Sequence, residues 1–212
     1  GIDAVVNAVG VLRDTRARPI DAVHRTTPIA LFDACAQAGV QRVVHISALG
    51  IDGSNTRYAQ TKRAAEAHLQ TLATQAKLRP AILRPSVVYG KGGDSSALFM
   101  NLARLPLALF PGPMLTARVQ PVSVHDLAAA VVALLGPALQ HTGTIECTGP
   151  EALTMGAFIA SLRQQLGHSP ATVLRLPQPL TTLSARLGDA VPQSPWCSET
   201  LAMLGSDNVG NP

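Results

Sequence analysis

Tyr58 and Lys62 stand four residues apart in Tyr58-Ala59-Gln60-Thr61-Lys62. On a helix that spacing puts both side chains on one face. An ammonium beside a phenol stabilises the phenolate, so the pair is expected to draw the tyrosine pKa from about 10 toward neutrality. Such a phenol can exchange a proton with a carbinol or carbonyl oxygen while hydride is transferred at the attached carbon. The lysine can also hydrogen-bond the ribose hydroxyls of a nicotinamide cofactor. The same spacing occurs on ordinary helix surfaces, so its setting must decide. The chain holds only two tyrosines: Tyr58 follows, after a loop, the apolar run that ends in Ser47, and Tyr89 lies at the end of the run from Ile82.

Other chemistry-bearing residues are fewer. Ser47 closes one apolar run, where a hydroxyl could donate to a reacting oxygen. His45 lies inside the same run and reads as a core histidine rather than a catalytic one. His125-Asp126 reads as a helix-capping turn. Asn7 closes the first apolar run and could hold either cofactor or backbone. Arg84 ends another run, at the sheet edge where ligands gather, and could contact phosphate or substrate. Its alternative is an ion pair tying down the C-terminal lobe. Cys35, Cys147 and Cys197 are widely spaced, with no CxxC and no Cys/His pair at metal-ligand spacing, so no metal site is expected.

The elements that must position these residues read as follows. Residues 2–10 form a buried strand ending in Gly10, and a helical pattern runs from Pro19 to Ala38 with Gly39 at its stop. A second strand covers Arg42 to Ser47, a loop covers 51–56, and a long helix runs from Arg57 to Lys77. Pro80 to Arg84 forms a third strand, closed by Pro85. Strand and helix alternating at this spacing describe two βαβ units and a parallel sheet. Beyond Tyr89, helices are expected over 95–105, over 126–135 with a stop at Gly136-Pro137, and from the Thr154 cap to Leu166. Short strands are expected over 119–124 and 144–147. Residues 106–116 read as an apolar, proline-rich connection that could be a substrate lip, a dimer surface or a membrane-facing patch. The proline-rich tail reads as a loose lobe of short elements.

In this order the runs carry a family resemblance. Asp3-Ala4-Val5-Val6-Asn7-Ala8-Val9-Gly10 resembles the fourth-strand segment of extended short-chain dehydrogenase/reductases, and Val43-Val44-His45-Ile46-Ser47 their fifth strand. Tyr58 and Lys62 resemble their YxxxK pair. Ile82-Leu83-Arg84-Pro85-Ser86-Val87-Val88-Tyr89-Gly90 is similar to their "LRP…VYG" segment, and Gln120 to Ala128 to a later "hVdDvA" turn. His45-Ile46-Ser47-Ala48-Leu49-Gly50 and the Gly149-Pro150-Glu151-Ala152-Leu153-Thr154 pattern resemble the atypical branch that includes complex I accessory-subunit-like and nucleoside-diphosphate-sugar epimerase-like proteins.

The resemblance implies an α/β, Rossmann-like, doubly wound parallel sheet missing its first strands, with a small C-terminal α+β lobe. Residues 1–135 would form the partial dinucleotide-binding domain. Residues 136–212, interleaved with 90–120, would form a substrate or lid lobe. NAD or NADP is the implied cofactor, held by Asn7, Ala8, Val9, Gly10, Ile46, Lys62, Pro85, Ser86 and Val87. Tyr58, Lys62 and Ser47 are the implied catalytic residues of an oxidoreductase or nucleotide-sugar epimerase/dehydratase. The alternative is a non-catalytic dinucleotide-binding sensor, assembly factor or structural subunit.

Two departures bear on these expectations. No GxGxxG or GxxGxxG follows a strand, so either the chain is N-terminally truncated and the turn that would bind pyrophosphate lies outside these 212 residues, or that phosphate site has been lost. The catalytic hydroxyl of extended members usually follows the serine matching Ser47, and here that position is Ala48. Losing such a donor typically costs about two to three powers of ten in rate.

Composition excludes other classes. The net charge of +4 is dispersed, and aromatics make up 3%, which disfavours nucleic-acid binding. No leader-like segment opens the chain, and no run of about 18 apolar residues would span a membrane. The three cysteines read as reduced thiols, so a cytoplasmic protein is expected, and the family resemblance implies a small-molecule substrate. An open sheet edge would favour a homodimer.

Overall fold

The structure, a computed structural model, describes residues 1–12, 14–136, 141–191, 194 and 196–210. Along the chain, β1 (Ala4–Asn7) is followed by a π-helical turn (Ala22–Thr26) that continues into α1 (Thr27–Gln37), then β2 (Arg42–Ile46), α2 (Arg57–Thr74) and β3 (Arg79–Pro85). Next come β4 (Val88–Tyr89), α3 (Asp94–Arg104), β5 (Leu107–Pro111), α4 (Gly112–Thr116), β6 (Arg118–Val119), β7 (Val122–Ser123) and α5 (Val124–Leu135). The last elements are β8 (Gly143–Cys147), β9 (Leu153–Thr154), α6 (Met155–Gln165), β10 (Thr172–Leu176), α7 (Gln178–Asp189) and α8 (Ser198–Met203). They form two compact units, Gly1–Pro85 with His125–Cys147, and Ser86–Val124 with Thr148–Gly210.

The first unit carries a parallel sheet of order β1-β2-β3-β8. Parallel neighbours require crossovers, which α1, α2 and α5 supply. Val43 and Ile82 pack against Phe32, Cys35, Leu69 and Leu72 from α1 and α2. Val44, Ala81 and Leu83 pack against Leu134, with Leu127 and Val131 beside them, from α5. Successive strand residues point to opposite faces, so helices cover both sides of the sheet. This is the doubly wound, Rossmann-like arrangement expected from the sequence. Each fully buried Leu, Ile or Phe contributes about 1.5–3 kcal/mol.

Local chemistry sets the ends of α2. The Thr56 hydroxyl accepts from the Ala59 amide at 3.3 Å, capping the helix that carries Tyr58 and Lys62. The helix stops at Thr74 rather than Lys77 because Ala76 adopts φ +56°, a left-handed turn closed by Lys77 N–H to Leu72 O at 3.0 Å. The apolar composition of 126–135 predicts a buried helix, but α5 buries only Leu134 among its residues and leaves Val132 68% exposed. One face meets the sheet and the other does not. The Gly136 amide bonds Ala133 O, and Pro137 lies outside the described residues.

In the second unit the 106–116 segment is not a plain connection. Leu107–Pro111 forms β5, paired in parallel with β10. Its residues alternate: Ala108 and Phe110 enter a core with Met114, Phe158, Ile159 and Leu162, while Leu107 and Leu109 stay exposed. Pro111 occupies the last position of the strand and Pro106 precedes it, where a missing amide does least harm. The tail is more regular than expected, since α7 runs for 12 residues. Thr154 caps α6 as expected, accepting from the Ala157 amide at 3.1 Å.

Candidate functional site

The first unit gathers most of the chemistry-bearing residues at the carboxyl ends of β1 and β2 and the first turns of α2. Lys62 is buried, and its ammonium donates to the Ile46 carbonyl at 3.0 Å, at the end of β2. Burial draws its pKa down to about 8, against the opposing pull of the Glu66 carboxylate one turn on. Ser47 follows Ile46, and its amide continues the ladder to Leu83 O at 2.7 Å. Its hydroxyl is buried and has no hydrogen-bond partner among the described residues. Ala48 occupies the next position, partly exposed.

Tyr58 is partly exposed, one turn before Lys62 on α2. Burial of its hydroxyl end pushes the phenol up to about 12, which corrects the expectation of a lowered tyrosine pKa. Within the protein alone, desolvation of the phenolate dominates, and the Lys62 ammonium is itself held by a backbone carbonyl.

A residue that the sequence reading passed over completes the group. His24 is 1% exposed and lies edge-on to the Tyr58 ring, with centroids 5.0 Å apart and planes at 89°. Its Nε2 accepts from the Val11 amide at 2.9 Å, and its Nδ1 faces the Thr61 hydroxyl at 3.4 Å. Burial first, and the Lys62 charge second, hold its pKa down to about 4. Its place in a helical segment just before Pro28 gave no motif to single it out.

Asn7 is buried and holds protein rather than open space. Its amide donates to His45 Nδ1 at 3.1 Å, and its carbonyl accepts from Val9 N–H at 3.4 Å. His45 is 1% exposed and packs edge-on to Phe32 at 5.4 Å, the core histidine expected. Burial is the main cause that lowers its pKa to about 3. Ala8, Val9 and Gly10 are exposed at the end of β1. A Cβ at Gly10 would come 3.7 Å from Lys62 Nζ and 3.8 Å from His24 Nε2, so this backbone runs directly beside both basic groups.

Pro85 is buried at the end of β3, and its carbonyl accepts the Leu49 amide. Ser86 and Val87 belong to the second unit. There the Ser86 hydroxyl accepts from the Gln120 amide at 3.1 Å and lies 2.6 Å from Asn208 Oδ1, while Val87 O accepts the Val122 amide. Among the described residues, the ion-pair partners of Arg84 lie within the first unit. Arg84 donates to buried Glu66 at 2.5 and 3.0 Å and to Asp52 at 2.6 and 3.1 Å, joining β3, α2 and the loop after β2 within one unit. His125 and Asp126 lie in the first turn of α5 and are exposed. Among the described residues no group of His, Cys, Asp and Glu could hold a metal ion, and no helix is long and apolar enough to cross a membrane.

Comparison with known proteins agrees with this architecture. Ceramide reductase of Caulobacter vibrioides is 25% identical over 94% of this chain and 60% of its own length. NADH dehydrogenase (ubiquinone) 1 alpha subcomplex subunit 9, mitochondrial, of Mus musculus is 25% identical over 93% of this chain and 51% of its own. This chain therefore spans between half and three-fifths of these curated relatives. UDP-glucuronic acid 4-epimerase from Bacillus cereus, solved with NAD, superposes at a TM-score of 0.69 with 20% identity, covering 82% of this chain and 63% of that one. RMD from Pseudomonas aeruginosa, solved with NADPH, superposes at 0.66 with 16% identity, covering 82% of this chain and 67% of that one. Both share the fold. Residues 1–145 match the NAD dependent epimerase/dehydratase family, and the chain belongs to that family.

Proposed function

We propose that this chain carries the nicotinamide-ribose and proton-exchange half of an NAD(P)-dependent oxidoreductase, epimerase or dehydratase site, acting on a small molecule that bears a carbinol or carbonyl. The observation that carries the reading is the placement of Lys62: a buried ammonium anchored on Ile46 O at the sheet's carboxyl edge, one helical turn after Tyr58 and one residue along the strand from the unpartnered Ser47 hydroxyl.

The residues present fit one end of the cofactor. A buried hydroxyl without a protein partner, and a side-chain-free backbone beside Lys62, suit a polar ligand entering between β1 and α2. The glycine-rich pyrophosphate turn is not among these 212 residues, so only the nicotinamide and ribose end is assigned to them. A bound nicotinamide supplies the hydride donor or acceptor. Lys62 would hold the ribose hydroxyls and carry the positive charge of the site. Tyr58 would exchange the proton at the substrate oxygen, and Ser47 Oγ would donate a hydrogen bond to that oxygen in place of the hydroxyl lost at Ala48. A positive charge brought near the phenol would lower its pKa from about 12 toward the working range.

Direct titration with NADH and NADPH, followed by nicotinamide fluorescence, tests the binding half. Saturable binding is expected, weakened about tenfold or more in Lys62→Met by loss of charged hydrogen bonds; no binding by either cofactor would overturn the assignment. Turnover of UDP-sugars and ketone-bearing lipids, with Tyr58→Phe as control, tests the chemistry. A second reading, dinucleotide binding without catalysis, is favoured by Ala48 and the high phenol pKa. It predicts that Tyr58→Phe changes nothing measurable.

Three cysteines that are unpaired in the structure support a reducing, cytoplasmic setting. Exposed Leu107 and Leu109, with Leu174 in register beside Leu109, support a homodimer, which sedimentation would detect.

A further inference from the structure

We propose that His24 is a positioning residue for Tyr58: its imidazole holds the phenol ring edge-on and ties it to the loop after β1 and to the turn of α2 that leads to Lys62. The consequence for catalysis rests on the proposed role of Tyr58; the positioning itself rests on geometry alone.

Four observations converge on this. First, His24 is the central residue of the π-helical turn Ala22–Thr26. Such wide turns are rare and often sit at functional sites, because one extra residue in the turn redirects a side chain. Here the redirected side chain is 1% exposed and faces α2.

Second, both ring nitrogens are committed, and this settles the tautomer. The Val11 amide donates to Nε2 at 2.9 Å, so Nε2 presents its lone pair and the proton sits on Nδ1. Nδ1–H then donates to Thr61 Oγ1 at 3.4 Å. The Thr61 hydroxyl gives its own proton to the carbonyl of Arg57 or Tyr58, at 2.9 and 3.0 Å, which leaves an oxygen lone pair for the imidazole.

Third, the T-shaped contact with Tyr58 is the favoured arrangement of two rings and restricts the phenol's rotation about its helix. Fourth, His24 must be neutral to do this. Protonating Nε2 would turn an acceptor into a donor facing the Val11 N–H, and the Gly10 backbone is approached by both His24 Nε2 and Lys62 Nζ. Burial keeps the imidazole uncharged, with its pKa at about 4, and leaves the single positive charge on Lys62.

The chain has two tyrosines, so tyrosine labelled with carbon-13 at Cζ yields two resonances, assigned with Tyr58→Phe. The full 212-residue chain is titrated as wild type, His24→Gln and Thr61→Val. His24→Gln retains an acceptor and a donor but no ring. Thr61→Val removes the Nδ1–H acceptor without touching His24. In His24→Gln the Tyr58 midpoint is expected to fall from about 12 by about one unit or more, as water reaches the phenol. In Thr61→Val it is expected to move the same way by less. The Tyr89 resonance is expected to hold, while the thermal midpoint falls by a few degrees as the buried contacts of His24 are lost.

Tyr58 signals unchanged in both variants would overturn the proposal and make His24 a bolt between loop and helix only. If Tyr58 responds but Tyr58→Phe turns over substrate normally, the positioning stands and the catalytic reading of Tyr58 falls. If Tyr58→Phe is inactive while Tyr58 is indifferent to both variants, the catalytic reading stands and the positioning falls.

Discussion

Two buried neutral histidines should make this protein acid-sensitive well above the range where carboxylates titrate. His24 and His45 are each 1% exposed, and burial lowers their pKa values from 6.5 to about 4 and about 3. Because the folded values are depressed, the unfolded chain binds protons first as pH falls. Stability is therefore full above about pH 6.5, falls below it, and the loss levels off only beneath the folded values. Each group costs about 1.4 kcal/mol per pH unit in that window. From pH 6.5 to 5 the loss is about 2 kcal/mol per histidine, or about 4 kcal/mol together, a large share of a typical domain's stability. Urea unfolding followed by circular dichroism at pH 7.5 and pH 5.0 measures the difference. His24→Gln and His45→Gln should each remove about half of it, whatever they do to stability at pH 7.5. A difference below about 1 kcal/mol, or a double variant that keeps the full dependence, would refute the claim that these imidazoles are buried uncharged.

Two further outcomes follow from the same unit. Glu66→Gln leaves the Arg84 guanidinium with Asp52, which is 68% exposed, as its remaining carboxylate. It should destabilise by about 2–3 kcal/mol in denaturant titration and lower the Lys62 pKa further below about 8, because the Glu66 charge now raises it. Ala76→Gly should stabilise by about 0.5–1 kcal/mol, seen as a higher thermal midpoint, because Ala76 holds φ +56° at the end of α2, where glycine carries no penalty.

The sequence by itself determined the order of strands and helices in the first unit and the shared helix face of Tyr58 and Lys62. Buried strands read as continuous apolar runs, caps such as Thr56 and Thr154 mark helix starts, and a four-residue helical spacing guarantees a shared face. These signals are local, so one chain suffices to read them. It also yielded His45 as a core residue, since a histidine within an apolar strand run has little else to face. The tertiary structure alone decided the rest. That β5 is a strand depends on β10, more than sixty residues away. That α5 is half exposed depends on which face of the sheet it covers. Arg84 faces Glu66 and Asp52 because α2 folds back over the sheet. His24 reaches Tyr58 through a π-helical turn that no periodicity announces. The phenol's pKa rises rather than falls because desolvation is set by all surrounding atoms at once, while sequence spacing reports only one neighbouring charge.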